Sequence, residues 1–125
     1  MKLNKREDAN EVLNKTLKEL HQRAQKEPDN PEIYRDIGKI FHTLDKIPEA
    51  KEAYNRSIEL DQNRLMRATN STEETYYNWS VGKTLFAMGQ YEAATERLNH
   101  AAEVSPLKSL EKDILYWMKK EKKAL

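Results

Sequence analysis

The chain has 125 residues, 34% of them charged, yet its 22 lysines and arginines nearly balance its 21 aspartates and glutamates, for a formal net charge of +1. A length of this order is one domain's worth of chain, and so even a balance excludes a nucleic-acid binder held by bulk basic charge. The absence of cysteine excludes disulfides, thiolate catalysis and Cys-ligated zinc.

The opening stretch, Met1-Lys2-Leu3-Asn4-Lys5-Arg6-Glu7-Asp8, lacks the apolar core of a secretory signal, and no apolar run approaches a membrane span, so a cytoplasmic location is expected. From about Lys5 to Lys26, Ala9, Leu13, Leu17, Leu20 and Ala24 form one apolar stripe at three- and four-residue spacing, the signature of an amphipathic helix. Pro28-Asp29-Asn30-Pro31 then marks a turn, with Asn30 placed to cap a helix that has Pro31 at its first position. That second helix, to about Leu44, carries Ile33, Tyr34, Ile37, Ile40, Phe41 and Leu44. A third, from about Pro48 to Leu60, carries Ala50, Ala53, Tyr54, Ser57 and Ile58. Ser71 followed by Glu74 reads as a capping box opening a fourth helix, about Thr72 to Met88, with Tyr76, Tyr77, Val81, Leu85 and Phe86. The fifth, Tyr91 to Val104, carries Ala94, Leu98, Ala101 and Ala102. Ser105 before Pro106 reads as the cap of a last helix with Leu107, Leu110, Ile114, Leu115, Trp117 and Met118. No alternating strand pattern lasts more than a few residues.

The second and third helices repeat in the fourth and fifth. Tyr34-x2-Ile37-Gly38-x2-Phe41 is followed nine residues later by Ala50-x3-Tyr54; Asn78-x2-Val81-Gly82-x2-Leu85 is followed, again nine residues later, by Ala94-x3-Leu98, with Pro106 beyond. Gly89-Gln90-Tyr91-Glu92-Ala93-Ala94 supplies an inter-helix turn. Two matches in one register resemble the tetratricopeptide repeat, a helix-turn-helix of about 34 residues with the pattern W-x2-L-G-x2-Y, A-x3-F, P. The resemblance implies an all-α fold, a short antiparallel helical array (an α-solenoid) of about six helices. It implies one domain, with an N-terminal helix at 5–27, a first repeat at 31–62, a second at 72–106 and a capping helix at 107–123. Gly38 is expected to face Ala50, and Gly82 to face Ala94, where two helices approach closely. Gly38 and Gly82 stand 44 residues apart, so the surplus around Arg64 to Glu74 either prolongs the third helix or forms a longer loop. Asn78 stands where the pattern has an aromatic, with Tyr77 and Trp79 beside it to take over its packing.

Signals for chemistry are weak. Val81-Gly82-Lys83-Thr84 echoes the tail of a phosphate-binding loop, but Tyr77 occupies the place of the upstream glycine and no strand precedes it. His21, His42 and His100 lie on separate helices and make no ligand set. The carboxylates mostly sit beside Lys or Arg on helix faces. No catalytic residue, metal or cofactor is therefore expected, and the chain reads as a non-enzyme.

A binding surface is easier to derive. The resemblance implies that the first helix of each hairpin lines a concave face, and the residues offset from the packing stripe there include Arg35, Lys39 and His42 on one helix and Tyr76, Trp79, Lys83 and Phe86 on the other. Aromatics beside cations suit an extended or helical peptide with apolar and acidic side chains. The competing reading packs Tyr76, Trp79 and Phe86 beneath the long connection or the last helix. The family's carboxylate clamp for chaperone tails is incomplete here, since Ser80 replaces its second-repeat asparagine and no full third repeat follows. The expected function is a protein–protein interaction module for a protein or peptide partner. Alternatives are a self-associating scaffold, paired through Leu13, Leu17 and Leu20 or through Ile114 and Trp117, and a small assembly or secretion chaperone.

Overall fold

The computed structural model describes residues 5–105 and 114–121. Five helices follow in order: α1 Lys5–Lys26, α2 Pro31–Thr43, α3 Ile47–Met66, α4 Ser71–Ala87 and α5 Tyr91–Val104. Residues 114–121 are also helical, and no strand occurs among the described residues. The remainder of the expected 107–123 helix, Leu107, Leu110, Lys122 and Lys123 included, lies outside the described residues, as does Pro106. The chain divides into two compact units, Met1–Ser57 and Ile58–Leu125, the division falling within α3.

In the first unit α2 begins where the sequence places it. Asn30 Oδ1 accepts from the Glu32 backbone N–H at 3.0 Å, with Pro31 at the first helical position. The core joins Leu17, Leu20 and Ala24 of α1 to Ile33, Ile37 and Ile40 of α2 and Ala53 of α3. Burying each large aliphatic side chain stabilises the fold by about 1.5–3 kcal/mol. Ala9, at the start of the α1 stripe, remains exposed. Ser57 Oγ donates to the Pro31 carbonyl at 2.8 Å, tying α3 to the start of α2 inside the protein.

The glycines sit at a close helix approach as expected, Gly82 beside Ala94, but their nearest neighbours are other side chains. A Cβ placed at Gly38 would lie 2.6 Å from two ring carbons of Tyr54, and one at Gly82 would lie 2.8 Å from Leu98 Cδ2, with the Ala94 carbonyl oxygen at 3.5 Å. Both glycines are buried at a close helix approach, but the side chain that covers each belongs to the residue four beyond the alanine. Helical side chains lean toward the N-terminus, so Tyr54 and Leu98 reach back over the turn that holds Ala50 and Ala94.

The two hairpin turns share one geometry. The Lys46 N–H donates to the Phe41 carbonyl at 2.8 Å and the Gln90 N–H to the Leu85 carbonyl at 2.9 Å, each five residues back. The residue before each donor is left-handed, Asp45 at φ 61° and Gly89 at φ 81°.

In the second unit the surplus around residues 64–74 resolves into a longer helix and a short turn, because α3 runs on to Met66. The α4 cap is Asn70 and not Ser71. Asn70 Oδ1 accepts from the Glu73 N–H at 2.9 Å, and Glu73 Oε2 in turn accepts from the Thr69 N–H at 3.1 Å. The reciprocal pattern was thus present one residue upstream of where Ser71 and Glu74 suggested it. The core contains Leu98, Ala101 and Ile114, with Trp79, Ala102, Trp117 and Met118 packed on it.

Candidate functional site

Helix α4 is unusual in burying hydroxyl and amide groups: Thr75, Asn78, Ser80 and Thr84 are all at most 3% exposed. Each has a partner, as burial demands. Thr75 donates to the Ser71 carbonyl at 2.7 Å, Asn78 Nδ2 to the Glu74 carbonyl at 3.0 Å and Thr84 to the Ser80 carbonyl at 3.2 Å. Ser80 Oγ donates to Asp61 Oδ2 at 2.6 Å. Asn78, in the pattern's aromatic position, is buried and reaches across to α5. Its Oδ1 accepts from Arg97 Nη1 of α5 at 3.2 Å.

Gly82, Lys83 and Thr84 lie inside α4, where Gly82 meets Leu98 and Thr84 is fully buried. Backbone N–H groups in a helix interior are already spent on the helix, so these residues form no phosphate cradle. Among the described residues, no three His, Asp or Glu side chains converge to hold a metal ion. His100 Nε2 sits 3.5 Å from Glu74 Oε1, and the His21 ring lies 6.1 Å from that of Phe41.

Of the sequence-derived surface residues, four come together in the second unit. The Tyr76 and Trp79 rings are 6.2 Å apart, Lys83 Nζ stands 4.6 Å from the Trp79 ring and 5.9 Å from that of Trp117, and the Phe86 ring is 5.7 Å from Trp117. Lys120 Nζ approaches Trp117 from its own helix at 5.3 Å. Cations held over indole faces at this range attract the ring by about 0.5–1 kcal/mol where exposed. Trp79 and Phe86 are half-buried against the 114–121 helix, whereas Tyr76 remains 40% exposed, with Tyr116 and Leu115 open nearby in sequence to Trp117. Trp79 and Phe86 thus pack toward the last helix as the competing reading has it, while Tyr76 stays open.

In the first unit Lys39 and His42 are exposed on α2, but Arg35 is 5% exposed, with Nη2 4.0 Å from Glu32 Oε1, so its guanidinium is not presented to solvent. Leu17, Leu20 and Ile114, considered for pairing between chains, are inside their units. The Asn78–Arg97 pair and the Thr95–Glu121 hydrogen bond were not read from the sequence. Each joins residues 19 or 26 positions apart, beyond the reach of helical periodicity.

No described helix is long and apolar enough to cross a membrane. No curated protein matches the chain. A family model, described as Tetratricopeptide repeat, matches residues 31–64, which take in α2 and most of α3. Repeats of this family typically mediate protein–protein contact and are typically non-catalytic. Residues 31–64 are a tetratricopeptide repeat.

Proposed function

We propose that the chain is a protein–protein interaction module, and that the α4 face bearing Tyr76, Trp79, Lys83 and Phe86 contacts a peptide or helical segment of a partner carrying apolar and acidic side chains. The α4–α5 hairpin acts as a second repeat of the same kind as residues 31–64. The shared glycine contact and the shared hairpin turn support that reading. In the first unit, the exposed Lys39 and His42 of α2 are contact residues of that unit in their own right.

The observation that carries the proposal is the aromatic and cationic cluster around Lys83, half-buried at its base yet open at Tyr76. Trp79 and Phe86 give it a rigid apolar platform, Lys83 gives it a positive charge, and Tyr76 supplies exposed area with few rotatable bonds. Such groups are the usual energetic anchors of protein interfaces.

The test begins with affinity purification of the full chain from its native source and titration of the recovered partner. Because Trp79 and Phe86 also support the fold, the informative variant is Tyr76→Ala combined with Lys83→Gln. The expected result is a Kd raised at least about tenfold, equivalent to about 1.4 kcal/mol, with the helical circular dichroism unchanged. Unaltered affinity in the folded variant places the partner elsewhere. A rise in apparent mass with concentration in light scattering, in the absence of any partner, favours the self-associating scaffold.

A further inference from the structure

Helix α4 presents a second, chemically opposite surface. At about 100° per residue, Glu74 stands about 180° around the helix from Lys83. On the Glu74 side a groove of about 630 Å³ is bounded by the end of α3, the turn after it, α4 and α5. This volume falls within the range of about 300–1,000 Å³ typical of ligand pockets. Leu65 and Ala68 form its apolar wall, and its charged lining is Glu74, Glu96, Arg97 and Glu103, with His100 beside Glu74.

The arrangement of those charges selects the occupant. Three carboxylates face one guanidinium, and Arg97 is held by the neutral, buried Asn78. Glu74 is already beside His100, at 3.5 Å. Glu96 and Glu103 are both exposed and lie two turns apart on the same side of α5, separated by about 10 Å at 1.5 Å per residue. An anion drawn to Arg97 would meet these carboxylates. A single metal ion would find no three of them close enough to bind it. What fits is an extended cationic ligand with aliphatic stems, because lysine and arginine lay their methylenes on apolar surface while their heads stay in polar surroundings.

We propose that this groove docks a basic segment of a protein partner, with lysine or arginine heads meeting Glu96 and Glu103 and their stems lying along Leu65 and Ala68. The site is separate from the Tyr76–Lys83 face and does not depend on it. The second unit then has two docking faces of opposite preference on one helix.

The test is fluorescence anisotropy on the full chain with two short labelled peptides of equal length, one rich in lysine and alanine, the other rich in glutamate and alanine. The basic probe is expected to bind, to weaken as salt rises through the range that screens exposed charges, and to be preferred over the acidic probe. Glu96→Gln with Glu103→Gln is expected to weaken it at least about fivefold, in keeping with two exposed ion pairs. Glu49→Gln with Glu52→Gln, an equal charge change on the exposed face of α3, is expected to leave it unchanged, as is the Tyr76→Ala, Lys83→Gln variant. All four glutamates are exposed, so the variants retain the fold. No binding of the basic probe, equal weakening by both pairs of glutamate substitutions, or preference for the acidic probe would each overturn the proposal. None of those outcomes bears on the Tyr76 face, whose own variant reports on it separately.

Discussion

In the first hairpin Gly38 is covered by a flat, rigid ring, that of Tyr54; in the second, Gly82 is covered by the branched end of Leu98. The first turn puts an aspartate in the left-handed region, the second a glycine. The first helix of the first hairpin is aliphatic on its inner side, through Ile33, Ile37 and Ile40, whereas α4 buries Thr75, Asn78, Ser80 and Thr84. One backbone plan thus tolerates quite different fillings, provided that the glycine approach and the turn hydrogen bonds are kept.

The largest expected effect is loss of the ring over Gly38. Tyr54→Ala should destabilise the protein by about 3–5 kcal/mol, with Leu98→Ala at about 2–5 kcal/mol, both read from chemical denaturation. Next comes the glycine pair. Gly38→Ala drives a methyl into a ring that cannot bend aside, costing about 1–3 kcal/mol of overpacking against a helix-propensity gain of about 1 kcal/mol. Gly82→Ala meets Leu98 at Cδ2 and also at its branch atom Cγ, 2.9 Å away in the packed core, so it too should destabilise, though by less than Gly38→Ala. Equal costs at the two positions would show that the ring is no stiffer an obstacle than the leucine.

The turns should respond in opposite directions. Gly89→Ala forces a side chain into the left-handed region, at about 1–2 kcal/mol, while Asp45→Gly relieves that strain and should gain a few tenths to about 1 kcal/mol. Thermal unfolding of both variants resolves the sign.

The smallest effect is on pH. Burial pushes the Tyr54 hydroxyl above its ordinary 10.0. Its folded pKa then exceeds its unfolded one, so its contribution is intact below pH 10.0 and falls as pH rises through the folded value, because the unfolded chain releases the proton first. Tyr54→Phe should flatten the alkaline limb of the stability curve, and an unchanged limb would assign that loss to other groups.

Much of the fold was legible because it depends on local spacing. The starts of α2 and α5 and the buried glycines follow from Asn30-Pro31, Tyr91 and the repeated motif. What escaped depends on direction and distance. The nearest neighbour of Gly38 has no sequence signal, because the lean of helical side chains carries Tyr54 back over the Ala50 turn. The length of α3 is open in the sequence because the surplus around Arg64 to Glu74 suits a longer helix and a longer loop alike, and the burial of Asp61 against Ser80 has no local signal. The α4 cap falls one residue before Ser71 because Asn70 and Ser71 are both competent caps, and only the bonds from the Glu73 N–H to Asn70 and from the Thr69 N–H to Glu73 separate them. For the site, the aromatic stripe of α4 could be read, but the burial of Arg35 and the closure of Trp117 over Phe86 are tertiary facts with no local signal.

The chain has two tryptophans, Trp79 and Trp117, and both belong to the cluster around Lys83, so intrinsic emission watches that surface alone. Titrating the full chain with a tryptophan-free segment of its partner, while the label on that segment reports binding independently, tests the proposed face most directly. A saturable emission change that tracks binding, with its midpoint raised at least about tenfold in the Tyr76→Ala, Lys83→Gln variant, is the predicted result. Binding reported by the label with tryptophan emission unmoved would contradict it.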